Sequence, residues 1–246
     1  GENVDEAPAS RVLPVTGQEQ EFVFENIETP PVPSLLRGFS APVKLRSNLG
    51  ADEERFLYQH DSDPFARWDA GQSYLTRMLL AAAGDGRESV LEEAFHDAVA
   101  DILRDSSIEP AFAAELLTLP GESVLAESML PADPEAIHRV RRAARKEIGL
   151  KHADVFKALY GRLAGAYAAD DMSTAAMGSR ALKAVALGYL VAGGEADALA
   201  LAARQASEAV TMTDSMVALQ ALNGTDCPER TTALAAFHDR WENTPL

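Results

Sequence analysis

Disulfide chemistry has almost no material here, because the 246 residues contain one cysteine, Cys227. An intrachain bridge is excluded, and the usage agrees with a reducing, cytoplasmic compartment. Positive charge is also scarce. Lys and Arg number 22 against 38 Asp and Glu, a net charge of −16 that repels nucleic-acid phosphates and anionic membrane surfaces at long range. Long apolar runs are missing: the longest, "AVALGYLVAGG" at 184–194, is far shorter than the roughly 20 residues a membrane-spanning helix needs. The opening "GENVDEAPAS" has no Met, no basic region and no apolar stretch, so it does not read as a signal peptide and suggests an excised or processed piece. What the chain does have is 47% hydrophobic and 24% charged residues, the balance of a globular protein able to bury a core.

Residues 1–46 form one compositional block. In "RVLPVTGQEQEFVFENI" β-branched and aromatic residues flank Thr16-Gly17, and Phe22 and Phe24 share one face of an extended segment, which is the pattern of a hairpin. Pro30, Pro31 and Pro33 then bar a helix or a central strand. "FSAPVKLRS" resumes alternation, with Val43 and Leu45 on one face and Lys44 and Arg46 on the other. The reading is about three strands, marginal unless they pack on something larger.

From Ala51 the punctuation is helical. Asp63-Pro64 pairs an N-cap with proline at the first helical position, and Phe65, Trp68, Leu75, Leu79 and Ala82 recur at helical spacing up to Gly84. A stripe of Val90, Leu91, Ala94, Ala98, Ile102 and Leu103 predicts a second helix; Pro110 and Asp133-Pro134 open two more, the latter ending at Gly149. Further helices are expected over 151–167, from a cap at Asp171 to Gly193-Gly194, from a cap at Thr213 to Asn223-Gly224, and from Pro228 onward. Nine or ten short helices joined by brief turns predict a mainly α fold, an irregular α-solenoid of antiparallel pairs preceded by the short β remnant. No fixed period is visible, so no consensus repeat family is expected.

Candidate chemistry is thin. Glu93-x-x-His96 and Glu135-x-x-His138 mimic the paired carboxylate–imidazole motif of di-iron bundles. At about 100° per residue, however, Glu93 and His96 lie opposite the stripe of Leu91, Ala98 and Ile102, and Glu135 and His138 oppose Ile137, Val140 and Ala144, which predicts solvated faces. The histidines at 60, 96, 138, 152 and 238 never fall four apart, so no His-Glu-x-x-His zinc helix is present. There is no Gly-x-Ser-x-Gly elbow and no phosphate loop, and "GDGRES" at 84–89 lacks the glycine spacing of a dinucleotide turn. Cys227 precedes Pro228, where a helix start could activate a thiol, but no partner His is identifiable and a structural role is favoured. Arg139, Arg141, Arg142, Arg145 and Lys146 cover the polar side of one helix and are expected to pair with carboxylates rather than phosphates. Trp68 is expected to face the core.

Four colinear segments carry a resemblance: "QEFVFENIETPPVPSLLRGFSAPVKL", "FARWDAGQSYL", "PAFAAELLTLPGES" and "TMTDSMVALQAL". Together they are similar to the bacterial aminopeptidase N family, zinc-dependent alanyl aminopeptidases. The resemblance implies that residues 1–46 are the end of a β-sandwich domain, with "FSAPVKL" its last strand, and that 47–246 are the first part of a C-terminal helical domain that continues past "HDRWENTPL". It implies a domain that packs over the catalytic domain of the same polypeptide and screens its active site from large folded substrates, with peptides as the substrates of the parent.

The family's chemistry does not transfer. Its zinc ligands, His-Glu-x-x-His plus a downstream Glu, and its amine-gripping Gly-x-Met-Glu-Asn segment have no match in this sequence. Zinc belongs to the parent enzyme, and no catalytic, metal or substrate-binding residue is assigned to this chain, which alone is expected to be inactive. The rival expectation is a free-standing helical scaffold that binds peptides or proteins on a concave face. Neither nucleic acid nor membrane is an expected partner.

Overall fold

A helix needs no partner to satisfy its backbone, whereas a strand does. In the computed structural model, which describes residues 10–43, 45–87 and 90–244, every regular element is helical and no strand occurs among the described residues. The chain divides into two units, Gly1–Pro33 and Ser34–Leu246.

In the first unit residues 10–33 have no regular secondary structure, with a bend over 17–19 where the turn was expected and further bends at 26 and 28–29, Asn26 at φ 59. Thr16 N–H donates to Gln20 Oε1 at 3.0 Å, and the Arg11 guanidinium lies 5.9 Å from the Phe24 ring centre. The three expected strands do not form among the described residues. Val12, Val15 and Val23 are exposed rather than facing a second layer. Alternation supplies the two faces of a strand, but only a neighbouring ladder makes it one.

In the second unit the expected last strand is replaced by turns. Arg37–Phe39 form a single 3-10 turn flanked by Leu36 at φ 54, and the Val43 N–H donates to Ala41 O at 2.9 Å. Lys44 lies outside the described residues. Side chains take over the ladder's work: Arg37 donates to Asp61 Oδ1 at 2.7 Å and to Ser62 Oγ at 2.8 Å, and the Gly38 N–H donates to Asp63 Oδ2 at 2.9 Å.

The eleven helices described are α1 (Ala51–His60), α2 (Pro64–Asp85), α3 (Glu93–Arg104), α4 (Pro110–Leu116), α5 (Glu122–Glu127), α6 (Pro134–Lys151), α7 (Ala153–Leu163), α8 (Thr174–Gly193), α9 (Ala198–Glu208), α10 (Met212–Asn223) and α11 (Pro228–Trp241). Local chemistry sets their starts. Asp63 Oδ1 and Asp133 Oδ1 each accept an N–H three residues on, at 2.9 Å, ahead of a proline at the first helical position. The caps of α8 and α10 fall two residues from the expected ones. Ser173 and Thr211 do the capping, while Asp171 Oδ1 accepts the Ser173 N–H at 2.8 Å and so braces the cap instead.

Helix α1 packs on α2, α2 on α6, and α6 on α8; α8 also meets α4, α7, α9 and α10, and α11 closes against α9 and α10. Two hydroxyls lock the middle of this stack. Tyr58 donates to Leu116 O at 2.7 Å and Tyr189 to Leu117 O at 2.5 Å, both fully buried aromatics satisfying carbonyls at the end of α4. Tyr58 stacks on Phe95 at 6.0 Å, and Phe156 on Tyr189 at 5.1 Å. The α6–α8 contact needs two glycines: a Cβ on Gly149 would sit 2.1 Å from Tyr189 O, and one on Gly193 would sit 2.7 Å from the Gly149 carbonyl carbon. No described helix is long and apolar enough to cross a membrane.

Candidate functional site

Two helices each turn a strip of i, i+3, i+4, i+7 residues toward one cleft. On α8 the strip is Ala176, Ser179, Arg180 and Lys183; on α9 it is Leu201, Arg204, Gln205 and Glu208. Residues at that spacing share one helical face, so the register fixed by Ser173 also decides that these side chains meet. Tyr160 and Leu163 of α7 and the following 164–169 loop form the third wall, and Asp214 of α10 closes one end. The cleft has a volume of about 680 Å³, within the usual range for ligand pockets.

Its polar groups are held before any ligand arrives. Tyr160 Oη donates to Gln205 Oε1 at 2.7 Å, and Gln205 Nε2 donates to Asp214 O at 3.0 Å. Lys183 pairs with Asp214 Oδ1 at 2.6 Å, both side chains largely covered. Arg180 donates to Asp171 O at 2.6 Å, which aims its guanidinium along the cleft wall. Burial raises the Tyr160 hydroxyl pKa, with Arg204 opposing and Asp214 and Glu208 adding to the rise. Tyr160 therefore stays a neutral hydrogen-bonding group.

A second polar feature lies inside the stack. His96 Nδ1 and His152 Nε2 meet at 3.3 Å, both rings buried, between the edges of Phe95 and Phe156. Burial lowers both pKa values, His152 to about 4, and Lys151 beside them adds to the effect. One ring donates and the other accepts, so the facing nitrogens are spent on each other. No three His, Cys, Asp or Glu converge as a metal site among the described residues. The pair does not fit the zinc ligation that the sequence resemblance implies for the parent.

Residues 51–246 match the family described as a domain of unknown function, DUF3458_C, built of ARM repeats. The chain belongs to the DUF3458_C family. Residues 1–48 match a companion family, DUF3458, described as having an Ig-like fold. Over 97% of its length this DUF3458_C chain is 36% identical to aminopeptidase N of Escherichia coli K12, and over 91% it is 36% identical to aminopeptidase N of Caulobacter vibrioides. A crystal structure of Legionella pneumophila aminopeptidase A in complex with aspartic acid superposes with a TM-score of 0.79 at 28% identity, covering 90% of this chain and 27% of that one. The chain spans only 28% and 26% of the two curated relatives, and it is homologous to the C-terminal region of aminopeptidases. The ARM-repeat description corrects the expectation that no repeat family applies. Helices from 6 to 22 residues long keep the stacking of a repeat while erasing its period in sequence.

Several residues singled out from the sequence sit elsewhere in this DUF3458_C fold than expected. His96 is buried, not solvated, because the α6–α7 corner at His152 covers that flank of α3, and because Val90 and Leu91 precede the helix and mislead its wheel. Glu93 is exposed and pairs with Lys151; Glu135 is exposed; Glu122 Oε1 accepts from His138 Nδ1 at 2.9 Å. Of the basic group, Arg141 turns inward to donate to Pro120 O at 2.9 Å, and Arg145 is half-buried against Gly188. Arg139, Arg142 and Lys146 are exposed, and none of the five pairs with a carboxylate among the described residues. Cys227 is a buried core thiol. Gly84 and Gly86 end α2, with Gly86 at φ 64, and Glu88 and Ser89 lie outside the described residues. Trp68 is half-buried at the start of α2 beside Phe65, which meets Phe39 edge-on at 4.9 Å. Sequence reasoning assigned nothing to the cleft. The available signal was the polar strip Ser179, Arg180, Lys183 on an otherwise apolar helix.

Proposed function

We propose that this chain is the non-catalytic portion of a zinc-dependent aminopeptidase, with its helical part covering the active site and restricting access to it. Residues 1–46 are then the end of a β-sandwich domain and 47–246 the first part of the C-terminal helical domain. The observation that carries the reading is similarity to aminopeptidases N over 91–97% of the chain, joined to a structural match at a TM-score of 0.79. The chain's partner is the catalytic domain of the same polypeptide, and the parent's substrates are peptides. Zinc and the general base reside in that domain; of the five histidines here, four are spent on each other or on surface carboxylates and His60 lies against Phe56. The single buried thiol fits a cytoplasmic setting.

Stacked helices suit the role, because a solenoid offers an extended rigid wall and exchanges substrate selection for no chemistry of its own. The test compares the parent enzyme with and without residues 47–246. The expected result is that deletion leaves zinc content intact while large folded substrates and internal peptide bonds become accessible or substrate retention falls. The isolated chain is expected to release no chromophore from alanyl anilides. Chelator-sensitive release of N-terminal residues by the chain alone would sink the reading.

A further inference from the structure

We propose that the cleft between α7, α8 and α9 binds a carboxylate carried on a peptide. Within its lining Lys183 and Asp214 neutralise one another at 2.6 Å, which leaves the guanidiniums of Arg180 and Arg204 with Glu208, while the Asp171 carboxylate, outside the lining, also feels the Arg180 charge. Arg204 has no ion pair among the described residues and stands exposed at the rim, and Arg180 spends one nitrogen on Asp171 O and keeps the others. In a chain of net charge −16, a cleft whose lining carries Arg180, Lys183 and Arg204 against Glu208 and Asp214 draws an anion rather than repelling it. Guanidinium forks match carboxylates in shape and bind them in charge-assisted pairs.

The remaining lining fixes what the carboxylate is attached to. Tyr160, Leu163, Tyr167, Leu201 and Val210 give apolar wall, and Ser179, buried at 5% exposure, lines the floor beside Arg180. A cavity of about 680 Å³ is far larger than an inorganic anion or acetate needs and accommodates a few residues of extended chain. Glu208 sits one turn beyond Arg204 on the same face and disfavours a polyanion, which argues against phosphate-rich ligands. That the carboxylate arrives on a peptide rests on the aminopeptidase reading; that the cleft takes a carboxylate does not.

The carboxylate has two sources, a chain terminus or an acidic side chain. Titration of the purified chain with three acetylated hexapeptides separates them: one with a free C-terminus and no acidic residue, one amidated with a single central Glu, and one amidated and neutral. The expected result is saturable binding of the first or the second, with the neutral peptide weaker by about tenfold, as one charge-assisted pair gives. Arg204→Ala, at an exposed position that leaves the core untouched, is expected to reduce the affinity of the binding peptide by a similar factor, and Glu208→Gln to raise it. Equal binding of all three peptides, no saturation at millimolar concentration, or an unchanged affinity in both Arg204→Ala and Arg180→Gln overturns the proposal. None of these outcomes alters the deletion experiment on the parent enzyme, so the two readings fail separately.

Discussion

His96 and His152 share a hydrogen bond where both rings are cut off from water. In the unfolded chain each imidazole takes up its proton near 6.5, whereas burial lowers both, His152 to about 4. Glu147, Glu93 and Asp97 favour protonation of the pair and Lys151 and Arg104 oppose it, with desolvation the largest effect. The unfolded chain therefore binds more protons between about pH 6.5 and about 4, so the pair's contribution is complete above that window and is lost as pH falls through it. Urea unfolding across this range should show the midpoint dropping more steeply in the unaltered chain than in His152→Gln. Parallel declines in the two would assign acid sensitivity to the carboxylates instead. Trp68 makes a different residue-scale case. Half-buried beside Phe65, it should lose on the order of 1–2 kcal/mol on substitution by Ala, less than the ~3–5 kcal/mol of a fully enclosed aromatic. A calorimetric melt of Trp68→Ala decides between those two scales. The sequence placed Trp68 on the core-facing stripe, and the structure leaves it half-buried at the edge of the core beside Phe65.

At the scale of elements, the backbones of α6 and α8 meet closely at Gly149 and Gly193. Gly149→Ala puts a methyl group within 2.1 Å of the Tyr189 carbonyl oxygen, where backbone rather than a flexible side chain must yield. Overpacking of this kind costs about 1–3 kcal/mol, and more where neither helix can shift. The expected outcome is a lower unfolding midpoint with unchanged helical content, read by circular dichroism. Gly161→Ala, with open space around its position, serves as the neutral comparison. Helix starts such as Asp63-Pro64 and Asp133-Pro134 were legible because a cap is a contact between near neighbours. The break between α6 and α7 was expected at Gly149 and falls at His152 instead, because Gly149 stays inside α6 where it packs closely on α8, and the ring contact at the corner reaches 56 residues back in the chain. The strands expected over 11–46 illustrate the opposite error. Their pattern is real, but pairing is a property of two segments, and only one segment's alternation can be read from a line of residues.

At the scale of the whole chain, a unit without regular structure precedes a unit of stacked helices. Residues 10–33 carry no ladder among the described residues and keep Val12, Val15 and Val23 exposed, so a protease meets accessible backbone there first. Limited trypsin digestion should cut at Arg11 before it cuts at Arg141 or Arg145, which lie within the packed face of α6. Early cleavage inside the helices would show that the stack opens as readily as the first unit. The class of fold was legible at this scale because helices such as α2, α6 and α11 carry their own punctuation, and the family was legible from four colinear segments. The cleft was not, since its walls come from three helices whose juxtaposition no local pattern encodes.

The hydroxyls of Tyr58 and Tyr189 that end on adjacent carbonyls of α4 also set an order of events during synthesis. The two bonds close loops of 58 and 72 residues, one reaching back toward α1 and the other forward to α8. A ribosome that has released α1 through α7 has delivered every neighbour of α4 except the helix that completes it, so the nascent chain waits with Leu117 O unpaired and the apolar side of α4 uncovered. Folding of the amino-terminal helices then becomes final only when α8 emerges, and the interval before that is the time in which a chaperone has something to hold.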